Sequence, residues 1–155
     1  MTRMLWSRTF VGSWLRRRFA ARWRSIDFIP DRAVLWRAIR PESVYKKDGS
    51  IKPAFFRDRR GHYSCDLAAF STPEQSRRGY ATPPAWNPDD AGLVEFSTGD
   101  VRNCSTTGGP DVNHAPLRDA RIVNYSHAQF SRELTGEEEK TMAEQKARIV
   151  IKPRA

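Results

Sequence analysis

Ala33-Val34-Leu35-Trp36-Arg37-Ala38-Ile39, closed by Arg40-Pro41, is the stretch that decides the fold. It is apolar, contains β-branched and aromatic residues, has the length of a strand and ends at a proline, which disfavours helix in the residue before it. Working outward, Lys47-Asp48-Gly49-Ser50 reads as a turn, because Asp and Gly tolerate the backbone geometry a turn requires. A short strand is expected at 54–57, a charged turn at Asp58-Arg59-Arg60-Gly61 and a further strand at 62–67. Later apolar segments at 93–97, 121–130 and 149–151 also read as strands.

Two helix starts stand between these strands. In Ser71-Thr72-Pro73-Glu74, Ser71 is the expected cap, Pro73 suits the first turn and Glu74 completes a capping box, with Gly79 as the stop. Thr135-Gly136-Glu137-Glu138 is a second capping box, whose acids suit the positive end of the helix dipole, and that helix should run to about residue 148. Residues 80–92, with Pro83, Pro84 and Pro88, and residues 103–119, rich in Gly, Asn and Pro, read as loops. Strands outnumber helices and do not alternate with them. The expected class is therefore α+β, a mostly antiparallel sheet with two or three helices.

This body, residues 31–155, follows a very different segment. Residues 1–30 form a basic arm rich in Trp and Arg, with seven arginines in the first 24 residues and no acid before Asp27. The whole chain carries a formal charge of +9, of which the first 24 residues hold +7, so the rest of the chain is nearly neutral. Trp6, Phe10 and Trp14 repeat at i, i+4, i+8, as do Leu15, Phe19 and Trp23, so each trio would line one side of a helix. Arg16, Arg17, Arg18, Arg22 and Arg24 with Trp6, Trp14 and Trp23 are the candidate contacts to nucleic acid or a protein partner, since Arg pairs with phosphate and Trp stacks on bases or anchors interfaces. An organellar presequence, a membrane-surface helix and an extension packed on the body are the other readings of the same composition.

Composition narrows the classes further. A chain of 155 residues can form one domain, and its 17 aromatic residues can supply a core despite modest apolar content. No apolar run approaches the roughly 20 residues that span a bilayer, and the arginine-interrupted start lacks a secretory apolar region. Cys65 and Cys104 do not make a disulfide framework and are expected as reduced thiols, at least one of them buried, in a cytoplasmic protein, or an organellar one if the arm is a presequence.

The chemistry candidates are few. A metal-independent phosphodiesterase needs one imidazole as base, another as acid and a cation for developing charge, and His114, His127 and Arg37 could fill these roles. Cys65, Cys104, Asp111, His114 and His127 are metal-ligand types without metal-site spacing, so neither metal nor cofactor is expected. Trp36-Arg37, Tyr63-Ser64 and His127-Ala128-Gln129 occur in an order that resembles ADP-ribosyltransferases of one broad class, which place an Arg, a Ser and a Glu on three strands around nicotinamide dinucleotide. Gln129 stands where that pattern has Glu, which removes the carboxylate that holds the ribose hydroxyl.

The body also carries the pattern Leu-x-Arg-Ala-Ile-x-Pro at 35–41, Tyr-Ser-x-Asp at 63–66, His114-Ala115-Pro116 and Asn-x-x-His-Ala at 124–128. It resembles small bacterial proteins, with a match over about 33–153. That resemblance implies a bacterial origin and domain limits but no activity. It singles out Arg37, Ser64, Asp66, His114 and His127.

Two functions are therefore expected to compete, with an ADP-ribosyltransferase-like protein using nicotinamide dinucleotide as a further alternative. One is a protein acting on RNA or a nucleotide, as a metal-independent phosphodiesterase or effector built on Arg37, His114 and His127, with Ser64, Asp66 and Gln129 secondary. The other is a non-enzymatic accessory subunit docking through residues 1–30. A site gathered within about 8 Å favours the first, and scattered residues favour the second.

Overall fold

β1 (Val34–Ile39) forms where the sequence places it and lies inside a six-stranded sheet. The computed structural model describes residues 25–58, 62–80, 83–84, 86–118 and 122–154. The remaining strands are β2 (Ser64–Leu67), β3 (Gly92–Ser97), β4 (Val112–His114), β5 (Leu117–Arg118), β6 (Val123–Asn124), β7 (His127–Phe130) and β8 (Arg148–Ile151). The sheet order is β4-β7-β2-β1-β3-β8, every neighbouring pair is antiparallel, and β5 and β6 form a separate two-stranded hairpin. With three short α-helices among the described residues, the fold is α+β.

Strand alternation divides the sheet into two faces. Register places Leu35 opposite Leu67 and Phe96, Cys65 opposite Ala128, and Val112 opposite Phe130. These side chains are buried together with Ile39 and Val94. Tyr63 extends this face: its ring lies 4.7 Å from Phe130 and is stacked 5.4 Å from Phe56. The opposite face carries Trp36, Asp66, His127, Ser64 and Gln129.

The core face is closed by two elements that the hydrophobic pattern describes unevenly. Residues 54–57, expected as a strand, form a 3-10 turn, Pro53–Phe56. Pro53 has no N–H to give a ladder, and Phe55 and Phe56 are both buried, whereas a strand would send successive side chains to opposite faces. The helix at 136–148 is present as α3 (Gly136–Thr141), which continues as a π-helical turn, Met142–Lys146. Its predicted capping box is formed: Thr135 Oγ1 accepts from Glu138 N–H at 3.3 Å and the Glu138 carboxylate accepts from Thr135 N–H at 2.8 Å. Arg57 clamps Glu139 at 2.9 and 3.1 Å, tying the 3-10 turn to α3, and Met142 fills the core beneath.

α1 (Pro73–Arg78) lies against β1 and β3, and its Ser76 reaches Asp66 on the polar face. Thr72, not Ser71, caps it, accepting from Gln75 N–H at 3.1 Å. With Pro73 as the first helical residue, the cap falls on the residue directly before it. Glu74 makes no capping box and pairs instead with Arg77 and Arg78. Gly79 ends the helix at φ +72° as expected.

Three further segments differ from the sequence reading. Residues 103–119 are not one loop, since β4 and β5 lie within them. β4 is a three-residue edge strand held by its pairing with β7, too short to show a pattern of its own. Residues 121–130 are not one strand, because Asn124 Oδ1 accepts from Ser126 N–H at 2.9 Å and turns the chain between β6 and β7. The helix α2 (Thr98–Arg102) was not anticipated, although Ser97 and Asp100 form a reciprocal capping box with the S-x-x-D spacing that announces one.

The described end of the arm segment is part of the packed structure. Ile29 is only 3% exposed and belongs to the core, Gly99 N–H donates to Asp31 O at 2.8 Å, and Arg102 pairs with Asp31. The two aromatic trios and the seven arginines lie outside the described residues.

Candidate functional site

The polar face concentrates its chemistry at β2 and β7. Asp66 and His127 are direct cross-strand partners. The next pair along is hydrogen-bonded, Leu67 N–H to Ser126 O at 2.7 Å, so Asp66 and His127 form the closer, non-hydrogen-bonded type of pair. Asp66 is buried and surrounded by donors: Asn124 Nδ2 at 2.7 Å, Ser126 Oγ at 3.2 Å and the Ser76 hydroxyl. Burial raises its pKa above the ordinary carboxylate value, while these donors and the neighbouring His127 pull the other way.

The His127 tautomer is set by its partner. Nδ1 lies 2.5 Å from the Ala115 carbonyl oxygen, which can only accept, so Nδ1 carries the proton and Nε2 is the basic nitrogen. A run of hydroxyls extends from Asp66. Ser126 Oγ is 2.5 Å from Asn124 Oδ1 and 3.2 Å from the Tyr80 hydroxyl, which is 2.5 Å from Ser71 Oγ, itself 2.7 Å from Ser76 Oγ. The geometry therefore offers one imidazole base beside one buried carboxylate, backed by a hydroxyl network.

His114 does not join them. Register sets it opposite Ala128, on the other face from His127. Its Nε2–H donates to the Tyr125 carbonyl at 2.6 Å, and its Nδ1 accepts from Ile26 N–H at 3.0 Å. Both ring nitrogens are thus occupied by main chain, and the ring is wedged against Phe70 and Tyr125 with centroids 5.9 and 4.9 Å away. Desolvation lowers its pKa below the ordinary histidine value, and the nearby His127 adds to that.

Arg37 is also on the core face, one residue along β1 from Trp36, which opposes Asp66. Its guanidinium stacks 3.9 Å from the Tyr63 ring centroid and donates to the Ser64 carbonyl at 2.6 Å. The sheet therefore stands between Arg37 and His127. It also separates Arg37 from the side chains of Ser64 and Gln129, which face each other in register on the polar side. The Arg-Ser-Gln trio does not surround one pocket.

Cys65 and Cys104 are free and buried; burial pushes Cys104 up to about 11 and Cys65 higher still. Neither is a thiolate nucleophile near neutral pH. Among the described residues no three His, Cys, Asp or Glu side chains gather as metal ligands, and Asp111 is engaged by Arg102 at 2.7 Å. No helix among the described residues is long and apolar enough to cross a membrane. No protein-family model, curated protein or solved structure matches the chain.

Sequence reasoning singled out Asp66 and His127 separately and missed Ser71, Ser76, Tyr80, Asn124 and Ser126. The Asn124-x-Ser126 spacing is an Asx-turn signal and could have marked the turn that brings two of these onto Asp66.

Proposed function

We propose that this is a small bacterial, cytoplasmic accessory protein that docks on a larger protein through its N-terminal arm. The observation that carries this reading is the anchoring of residues 26–31: Ile29 sits in the core, Ile26 N–H bonds His114 and Asp31 bonds Arg102. The last residues before the body, 26–29, are thus held at the β4 edge. The division of Arg37, His114 and His127 between two faces supports the same reading against a three-residue catalytic site.

The test compares the full chain with one starting at Ser25, both purified from native lysate and sized. The expected result is a larger assembly for the full chain only, resistant to nuclease and with little salt dependence. A shared monomer size, or an assembly that survives the truncation, overturns the proposal. Loss on nuclease treatment, with binding that weakens steeply as salt rises, would assign the arm to RNA instead.

The second reading, chemistry on RNA or a nucleotide, is favoured by one observation: the fixed His127 tautomer beside Asp66. It now rests on His127 as base without Arg37 or His114. Labelled tRNA and mixed RNA incubated with the full chain should be cleaved or modified, and His127→Gln should slow this by about 10²–10⁴-fold, the range for a lost general base. Intact RNA, or activity that survives the substitution, ends this reading.

A further inference from the structure

The segment Ser25–Ile29 crosses the β4 edge as a strap. Its attachments at Ile29 and Ile26 differ in kind. Ile29 is held by core burial, whereas Ile26 is held by one hydrogen bond from its N–H to His114 Nδ1. Between them Asp27 and exposed Phe28 pass over a cavity of about 270 Å³, walled by Arg102, Asp111, Asn113 and His114. Ile26 is partly covered, and Phe28, although exposed, lies under the Arg102 guanidinium at 5.2 Å from the ring centroid.

The His114 bond has a definite polarity. A main-chain N–H can only donate and a main-chain carbonyl can only accept, so the ring must be neutral, with its proton on Nε2. A second proton has one place to go, Nδ1, where it would face the Ile26 N–H donor to donor. We propose that His114 is a proton-operated latch: the neutral ring holds the strap on the body, and the imidazolium releases residues 25–28 while Ile29 stays anchored.

The surroundings bear on where this happens. His127 on β7 repels a charged ring, and Tyr125 supplies an aromatic wall. On the cavity wall Arg102 is paired with Asp31 and Asp111, and Asp27 is the acid carried by the strap itself. Phe70 contributes a ring and no charge. Burial of the imidazole also disfavours its charged form, so release belongs on the acidic side of the ordinary histidine range. The inference goes beyond the docking reading and does not depend on it, since the latch acts within the chain whether or not the arm has a partner.

The experiment is NMR on the full chain, following the His114 ring and the protection of the Ile26 amide against exchange from about pH 7.5 to about pH 5. Ile26 protection should fall by about tenfold, the equivalent of one lost hydrogen bond, with a midpoint that coincides with His114 titration. His114→Gln, whose amide can accept from Ile26 and donate to Tyr125, should keep the protection level across the range. Protection that stays constant while His114 titrates overturns the latch. So does an equal fall in His114→Gln, or a fall abolished by Asp27→Asn. Should His114→Gln fail to fold, the coincidence or divergence of the two wild-type midpoints decides the question alone.

Discussion

Tyr63 shows how one side chain can be placed for its ring and not for its oxygen. The ring joins Phe56, Phe96 and Phe130, and Arg37 lies over it, but the buried hydroxyl finds no partner among the described residues. An unpartnered buried hydroxyl costs free energy, so Tyr63→Phe should be neutral or stabilising by about 1 kcal/mol in urea denaturation. A loss of more than that would mean the oxygen is satisfied. His114 carries a pH dependence of definite sign. Its folded-state pKa lies below the ordinary 6.5, so the unfolded chain binds the proton more readily. The stability it contributes is complete above about pH 6.5 and is lost as pH falls toward the lowered folded value. Asp66, whose pKa is raised by burial, acts in the opposite sense, its penalty shrinking as pH falls. Denaturation midpoints of the wild type should therefore drop more than those of His114→Gln between about pH 7.5 and about pH 5.5, which separates the two contributions.

The Thr135 cap was readable, the cap expected at Ser71 falls on Thr72, and the short strands were not readable. The Thr135 box was visible because a cap depends on residues three apart, and Ser97 with Asp100 obeys the same local rule. Ser97→Ala should destabilise by about 1 kcal/mol, measured by thermal or urea unfolding. β4 and β5 were not readable, because strands of two or three residues owe their existence to partners far along the chain. The turn after α2 depends on a close approach. A Cβ on Gly109 would stand 1.9 Å from the Val101 carbonyl oxygen, while Gly109 N–H donates to Arg102 O at 2.7 Å. Backbone cannot yield as a flexible side chain can, so Gly109→Ala should cost about 1–3 kcal/mol, the range for overpacking, and shift the unfolding midpoint accordingly.

At the scale of the whole molecule the boundary between arm and body sits differently from where charge alone puts it. Ending the arm at Pro30 would assign Ile29 to it, yet Ile29 is a core residue. A chain starting at Ser25 keeps Ile29 and its place in the core. One starting at Asp31 should lose about 2–5 kcal/mol, as for removal of a buried isoleucine side chain. The sequence by itself determined the fold class, the central strand, the capped helix at 136 and the uneven distribution of charge, because each follows from local composition or from spacing within a few residues. Only the tertiary structure decided which side of the sheet each polar residue occupies. Arg37 and His114 lie on one face and Asp66 and His127 on the other. That follows from register between strands distant in sequence, where a shift of one residue exchanges the faces, and nothing in the local sequence records it.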